Sequence, residues 1–166
     1  MQERNVLLIR HAKSSWEDFR VKDADRPLND RGRRDGPKMA TRLAQSGIRI
    51  DRLYCSNALR ARQTAAYFQQ AMGLQDEALI EIPELYLAEP PVYQSLIQNA
   101  PDELTTIAFI AHNPGITSFA NSLGVARIDN IPTTGIFAVT AAALSWADFL
   151  SVNKRLLFFD YPKNQG

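Results

Sequence analysis

The sequence predicts an α/β fold: a single three-layer α/β/α domain built around a mostly parallel central sheet. Two observations carry this. Short, continuous apolar runs of the kind expected for strands buried on both faces recur along the chain, and segments with helical spacing separate them. Parallel neighbours need crossover connections, which those segments supply.

Val6-Leu7-Leu8-Ile9, bounded by charge on both sides, is the first central strand. Met39, Ala40, Leu43 and Ala44 then share one helical face; Gly47 stands where that helix stops, and Pro37 constrains how it begins. Leu53-Tyr54-Cys55 is a second strand, its interior shielding Cys55 as a small buried residue rather than a nucleophile. Ser56 and Asn57 are candidate caps for a helix through Met72, with Ala61, Ala65, Phe68 and Met72 at core-facing spacing and Gly73 beyond its end. Further helices are expected from Pro91 to Asn99 and from Pro114 to Leu123. Strands are expected at Ile107 to Ala111, Ile136 to Val139 and Leu156 to Phe159, making about five in all.

A chain of 166 residues suits one domain, residues 1–166, with a core large enough to need no disulfide or metal staple. Its 45 % apolar and 22 % charged residues are those of an ordinary globular protein. With 19 basic against 18 acidic residues the net charge is +1, which argues against nucleic acid or an anionic membrane surface as partner. One cysteine and two histidines are too few for a structural zinc site, so no metal and no cofactor are expected. The start of the chain carries an apolar run too short for a secretory or membrane-spanning segment, and a cytoplasmic location is the expectation. No P-loop motif appears.

The only two histidines, His11 and His112, each directly follow a buried-strand pattern, in Leu-Ile-Arg-His-Ala and Phe-Ile-Ala-His-Asn-Pro-Gly. In parallel strands both emerge at the carboxyl edge, where ligands of α/β folds gather. Arg60 falls in the first turn of the helix after the second strand, where anions are favoured. With Arg10 these residues make two imidazoles and two guanidiniums, whose forked donors match a phosphoryl group. Neighbouring positive charge keeps an imidazole neutral and therefore nucleophilic. Arg31, Arg33, Arg34, Arg42, Arg49, Arg52 and Arg62 read as solvated surface charges. Lys13 and Ser14 lie beside the motif by adjacency alone. Thr133-Thr134-Gly135 reads as a turn or as donors at the pocket rim, and Trp16 with Phe19 as a loop anchor or as an apolar rim for a protein partner.

These residues resemble the histidine phosphatase superfamily, the phosphoglycerate mutase-like group. Leu8-Ile9-Arg10-His11-Ala12-Lys13-Ser14 is similar to its R-H-x motif, with Ala12 in place of the more frequent glycine. Ser56-Asn57-Ala58-Leu59-Arg60-Ala61-Arg62-Gln63-Thr64-Ala65 is similar to S-P-x-x-R-A-x-Q-T-A, with Asn57 in place of proline. Arg26-Pro27-Leu28-Asn29-Asp30-Arg31-Gly32 resembles its R-P-L-T-x-x-G run, and Ala111-His112-Asn113-Pro114 its second histidine motif. The resemblance implies that His11 is transiently phosphorylated, that Arg10, Arg60 and His112 bind the phosphoryl group, and that Arg26 adds a contact. It also implies a carboxylate proton donor, for which Glu84 stands at the expected place and Glu89 is the fallback.

Between Thr64 and Thr106 there is too little chain for the large helical cap of many acid phosphatases in this superfamily, so the site should be open. Openness, short length and the R-H-A-K-S start resemble the SixA-like branch, which implies a phosphohistidine-bearing signalling protein as substrate. A small phosphate ester is the alternative substrate, and a non-catalytic phosphate-binding or scaffold protein the alternative of another class. A mutase fits less well, because little chain is left to form a lid over its phosphoenzyme.

Overall fold

A computed structural model describes residues 1–164; residues 165–166 of the expected domain lie outside the described residues. Six strands form one sheet: β1 (Gln2–Arg10), β2 (Arg52–Cys55), β3 (Leu79–Glu81), β4 (Thr106–Ala111), β5 (Ile136–Ala143) and β6 (Arg155–Asp160). Their order is β3-β2-β4-β1-β5-β6. β3, β2, β4 and β1 run parallel, and β5 lies antiparallel between β1 and β6. Five helices accompany them: α1 (Asp30–Gln45), α2 (Leu59–Met72), α3 (Pro90–Gln98), α4 (Gly115–Ser122) and the single turn α5 (Trp146–Phe149).

The alternation of strand residues divides the core in two. Val6, Leu8, Phe109, Phe137 and Val139 face α3, α4 and α5, where Tyr93, Ile97, Ile116, Phe119, Trp146 and Phe149 are buried. Leu7, Ile9, Leu53, Cys55, Ala108 and Ile110 face Met39, Ala40 and Leu43 of α1 and Ala61, Ala65 and Phe68 of α2. Neither face of the central strands meets water, which is why they read as unbroken apolar runs rather than as alternation.

Several elements differ from expectation. α1 begins at Asp30, well before the Met39 to Ala44 face and before Pro37: the Asn29 side chain accepts from Gly32 N at 2.9 Å, and Pro37 sits inside the helix. A capping asparagine and a buried amphipathic face outweigh the one hydrogen bond that proline removes. β3 is a three-residue edge strand, too short to show a period, and α5 is one turn capped by Ser145. α2 is not capped by a Ser56 or Asn57 side chain; Ala58 holds the N-cap position, and the Ser56 hydroxyl has another use. β6 is an edge strand with Leu156 and Leu157 exposed. Arg42 is half-buried and paired with Asp160 at 2.9 Å rather than solvated.

Candidate active site

β1 and β4 are paired in register, Arg10 opposite Ala111, so the residues that follow them emerge side by side. His11 N still donates to Ala111 O at 3.1 Å, extending the ladder by one step. The His11 and His112 rings end 5.1 Å apart between centroids. β2 ends on the same edge and delivers Arg60 in the first turn of α2. Thr64, one turn further on, ties helix to motif: its hydroxyl donates to Arg60 O and accepts from Ala12 N.

The result is a cavity of about 160 Å³ lined by Arg10, His11, Lys13, Ser14, Trp16, Arg26, Arg60, Leu87, His112, Asn113 and Thr133. Its four central side chains are nearly inaccessible in the case of His11, Arg26, Arg60 and His112. His11 Nδ1 lies 2.7 Å from Ala12 O, and a carbonyl only accepts, so Nδ1 carries the proton and Nε2 the lone pair. Arg60 Nε approaches that Nε2 at 3.4 Å. Burial pushes the His11 imidazolium down to about 3 against the opposing pull of the Ala12 carbonyl, with neighbouring His112 and then the charges of Arg60 and Arg10 adding to the fall. His112 is pushed down to about 4, again chiefly by burial and then by Arg60. His112 Nε2 meets the Ser56 hydroxyl at 2.7 Å, and that oxygen also accepts from Ala58 N. Ser56 thus holds Nε2 of His112, while Nδ1 is left without a protein partner among the described residues.

Four buried side-chain polar atoms among the described residues lack a hydrogen-bond partner: Arg10 Nε, His112 Nδ1, Thr134 Oγ1 and Tyr93 Oη. Tyr93 belongs to the core, but Arg10 and His112 line the cavity and Thr134 lies behind it, its N–H shared between Arg10 O and His11 O. Native interiors rarely leave buried polar atoms unpaired, so their gathering around one cavity suits that cavity to a polar, oxygen-bearing ligand. Thr134 N is thus occupied in holding the motif, whereas Thr133 is the residue of that run which reaches the cavity.

Arg26 reaches the cavity through the loop after β1, donating to Ser14 Oγ at 2.6 Å and to Ser15 O at 3.2 Å. Its guanidinium carbon stands 3.5 Å from the centroid of the Trp16 ring. Lys13 and Ser14 are also wall residues.

Glu84 and Glu89 are not brought to the cavity. The short 3-10 turn Pro83–Leu85 directs Leu85 into the core, which leaves Glu84 exposed beside Ile82, Pro91 and Val92 in a separate depression; Glu89 is the exposed N-cap residue of α3. The carboxylate that does approach is Asp23, which sequence reasoning passed over. It accepts from Arg60 Nη2 at 3.0 Å, from Arg26 Nε at 3.1 Å and from the Tyr86 hydroxyl. Burial alone would raise its pKa, but these donors hold it down at about 2. The sequence signal was the Asp23–Arg26 spacing of three, which only becomes a contact once a 3-10 turn is known to lie there. Tyr86 and Ser56, which flank His112, carried no such signal. Cys55, pushed up to about 12 by burial and then by Glu81, is an unreactive core thiol. Among the described residues no group of three or more His, Cys, Asp or Glu is arranged to hold a metal ion.

The family model of the histidine phosphatase superfamily (branch 1) matches residues 6–106, more than half of the chain. The chain belongs to this superfamily. A chloroplastic protein of Arabidopsis thaliana, itself uncharacterized, is 30 % identical over 158 residues, covering 90 % of this chain and 72 % of its own. An uncharacterized Mycobacterium tuberculosis protein is 33 % identical over 165 residues, covering 93 % and 100 %. Among solved structures, SixA of Agrobacterium tumefaciens, provisionally assigned as a phosphohistidine phosphatase, superposes with a TM-score of 0.78 at 28 % identity over 96 % of this chain and 99 % of that one. The protein histidine phosphatase SixA complexed with tungstate gives 0.81 at 23 % identity over 98 % and 99 %, a likeness of fold. As a member of this superfamily the chain has the α/β architecture of its phosphoglycerate mutase-like neighbours.

Proposed function

We propose that the protein is a metal-independent phosphatase that removes the phosphoryl group from phosphohistidine on a signalling protein, with His11 as its transient acceptor. The observation that carries this reading is the state of His11: Nδ1 is committed to Ala12 O, and Nε2 keeps its lone pair at the mouth of a buried arginine cluster. An imidazole so placed is a ready nucleophile rather than a titrating base. His11 Nε2 bonds to phosphorus as the substrate's P–N bond breaks, and the bonding pair stays on the substrate nitrogen. Water then attacks phospho-His11, releasing inorganic phosphate and returning the lone pair to Nε2. Arg10, Arg60 and His112 supply donors to the equatorial oxygens through both steps, and Arg26 adds to them from the rim.

The leaving group distinguishes the substrates. A phosphohistidine protonated on its other ring nitrogen departs as neutral imidazole, with no proton delivered to the atom that leaves, whereas an alkyl ester expels an alkoxide that needs one. Asp23, ionised down to about pH 2, is a poor proton donor at neutral pH. That favours the phosphohistidine. A small phosphate ester remains the second reading, supported by a 32 % identity over 85 residues to a 2,3-bisphosphoglycerate-dependent phosphoglycerate mutase of Bartonella henselae, of whose length 41 % is covered.

The test is incubation of the purified protein, with chelator present, with a phosphohistidine-bearing protein and separately with a panel of phosphate esters, beside a His11→Ala control. Selective loss of phosphohistidine, abolished in the control, is the expected result. Cleavage of esters alone moves the substrate to small molecules; turnover of nothing makes this a binding protein; loss of activity to chelator contradicts metal independence.

A further inference from the structure

We propose that Trp16 and Leu87 form an apolar seat for a flat ring carried on the phosphoryl group, so that the site selects ring-bearing over aliphatic phosphoryl compounds. This deepens the phosphatase reading above and rests on it for the ring's identity, the imidazole of the substrate histidine. The cavity is chemically divided. Its interior offers the donors of Arg10, Arg60 and His112, which suit the phosphoryl oxygens, but two of its wall residues are large apolar side chains exposed to water. Trp16 is 71 % and Leu87 58 % exposed. A group attached to a phosphoryl held by the arginines leaves the cavity past its exposed walls, and Trp16 and Leu87 are the large apolar side chains among them.

Each side chain is held in place by its surroundings. Leu87 has φ 56°, the left-handed region that a leucine rarely enters, between buried Leu85 and Ala88. The turn that buries Leu85 and Ala88 thereby presents the Leu87 side chain to water at the cavity mouth. Trp16 lies with its indole on the Arg26 guanidinium at 3.5 Å, a stack that fixes the ring while most of its surface stays open. Arg26 is in turn locked by Ser14, Ser15 and Asp23, so the indole rests on an immobile support. A fixed aromatic surface beside an aliphatic one suits a planar ring and offers nothing to the hydroxyls of a sugar or the carboxylate of a glycerate.

The experiment measures binding of methylphosphonate and phenylphosphonate by calorimetry at a pH where both are dianions. They share the phosphoryl head and do not react, so the outcome is independent of whether phosphohistidine is hydrolysed. Wild type should bind phenylphosphonate at least about fivefold more tightly, the scale of one aromatic contact. Trp16→Ala should erase that advantage while leaving methylphosphonate affinity within about twofold, Trp16→Phe should keep most of it, and Leu87→Gly, which also removes the strain, should reduce it. Phe19→Ala removes a still more exposed aromatic that is not a wall residue and should change neither. Equal losses of both ligands in Trp16→Ala would mean that the indole only positions Arg26, and absence of a ring preference in wild type would also overturn the proposal. A ring preference in a protein that fails to hydrolyse phosphohistidine would instead leave the seat standing and remove the substrate reading.

Discussion

His11 and His112 stand on the same strand edge, yet their hydrogen bonds give their rings different roles. Ala12 O fixes the proton of His11 on Nδ1 and leaves Nε2 its lone pair, whereas His112 rests through Nε2 on the Ser56 hydroxyl and keeps Nδ1 without a protein partner among the described residues. The pair was legible in the sequence because each histidine follows an apolar strand, and so was Arg60 because it opens a helix. The hydrogen bonds that orient the rings were not, since one depends on the local turn of the backbone at Ala12 and the other on a hydroxyl 56 residues away. Nor was Asp23, whose partners Arg60 and Tyr86 lie 37 and 63 residues away. Burial and the surrounding arginines both disfavour the charged form, so the folded protein holds its histidines neutral where free imidazole would gain a proton on acidification through about 6.5. Proton NMR should therefore show neither His ring titrating between about pH 5 and 8, an unambiguous reading in a chain with two histidines. A midpoint near the ordinary histidine value for His11 would remove the basis for its standing nucleophilicity.

At the scale of elements, the cavity is assembled by loops that lean on helix starts through glycines. A Cβ on Gly32 would lie 2.1 Å from Lys13 O, and one on Gly115 would lie 1.6 Å from Ala88 O. The first approach seats the loop after β1 on α1, and the second seats the Leu85–Ala88 segment on α4. No side chain fits at either contact, and both carbonyls belong to backbone that cannot swing aside as a side chain can. Gly115→Ala should lower stability by roughly 3 kcal/mol, the upper range for overpacking, read as a shift of the urea midpoint at unchanged slope. A variant as stable as wild type would show that the Ala88 segment is not pinned there. The helices themselves were legible where their apolar faces repeat, as in α2. The early start of α1 was obscured by Pro37, and Glu84 was misplaced because a 3-10 turn has no period by which to tell which of its residues faces inward.

At the scale of the molecule, the crossovers of a parallel sheet bring residues 10, 11, 60 and 112 to one edge, and this is the part that the apolar runs made readable. The sheet's outer half was not: β5 turns back antiparallel beside β1, and β3 and β6 take the two edges, choices made by pairing partners rather than by local pattern. The reach of the cavity also belongs to this scale, since Arg26, Leu87 and Thr133 come from three separate connections and meet only when the fold is complete. Everything claimed for the chemistry depends on one covalent event at the centre of that assembly. Rapid quench of the enzyme with a phosphohistidine substrate, in alkali that preserves phosphoramidates, followed by peptide mass spectrometry, should find a phosphoryl group on His11 and none in His11→Ala. Turnover with no label on His11, or full activity in His11→Ala, would contradict the account.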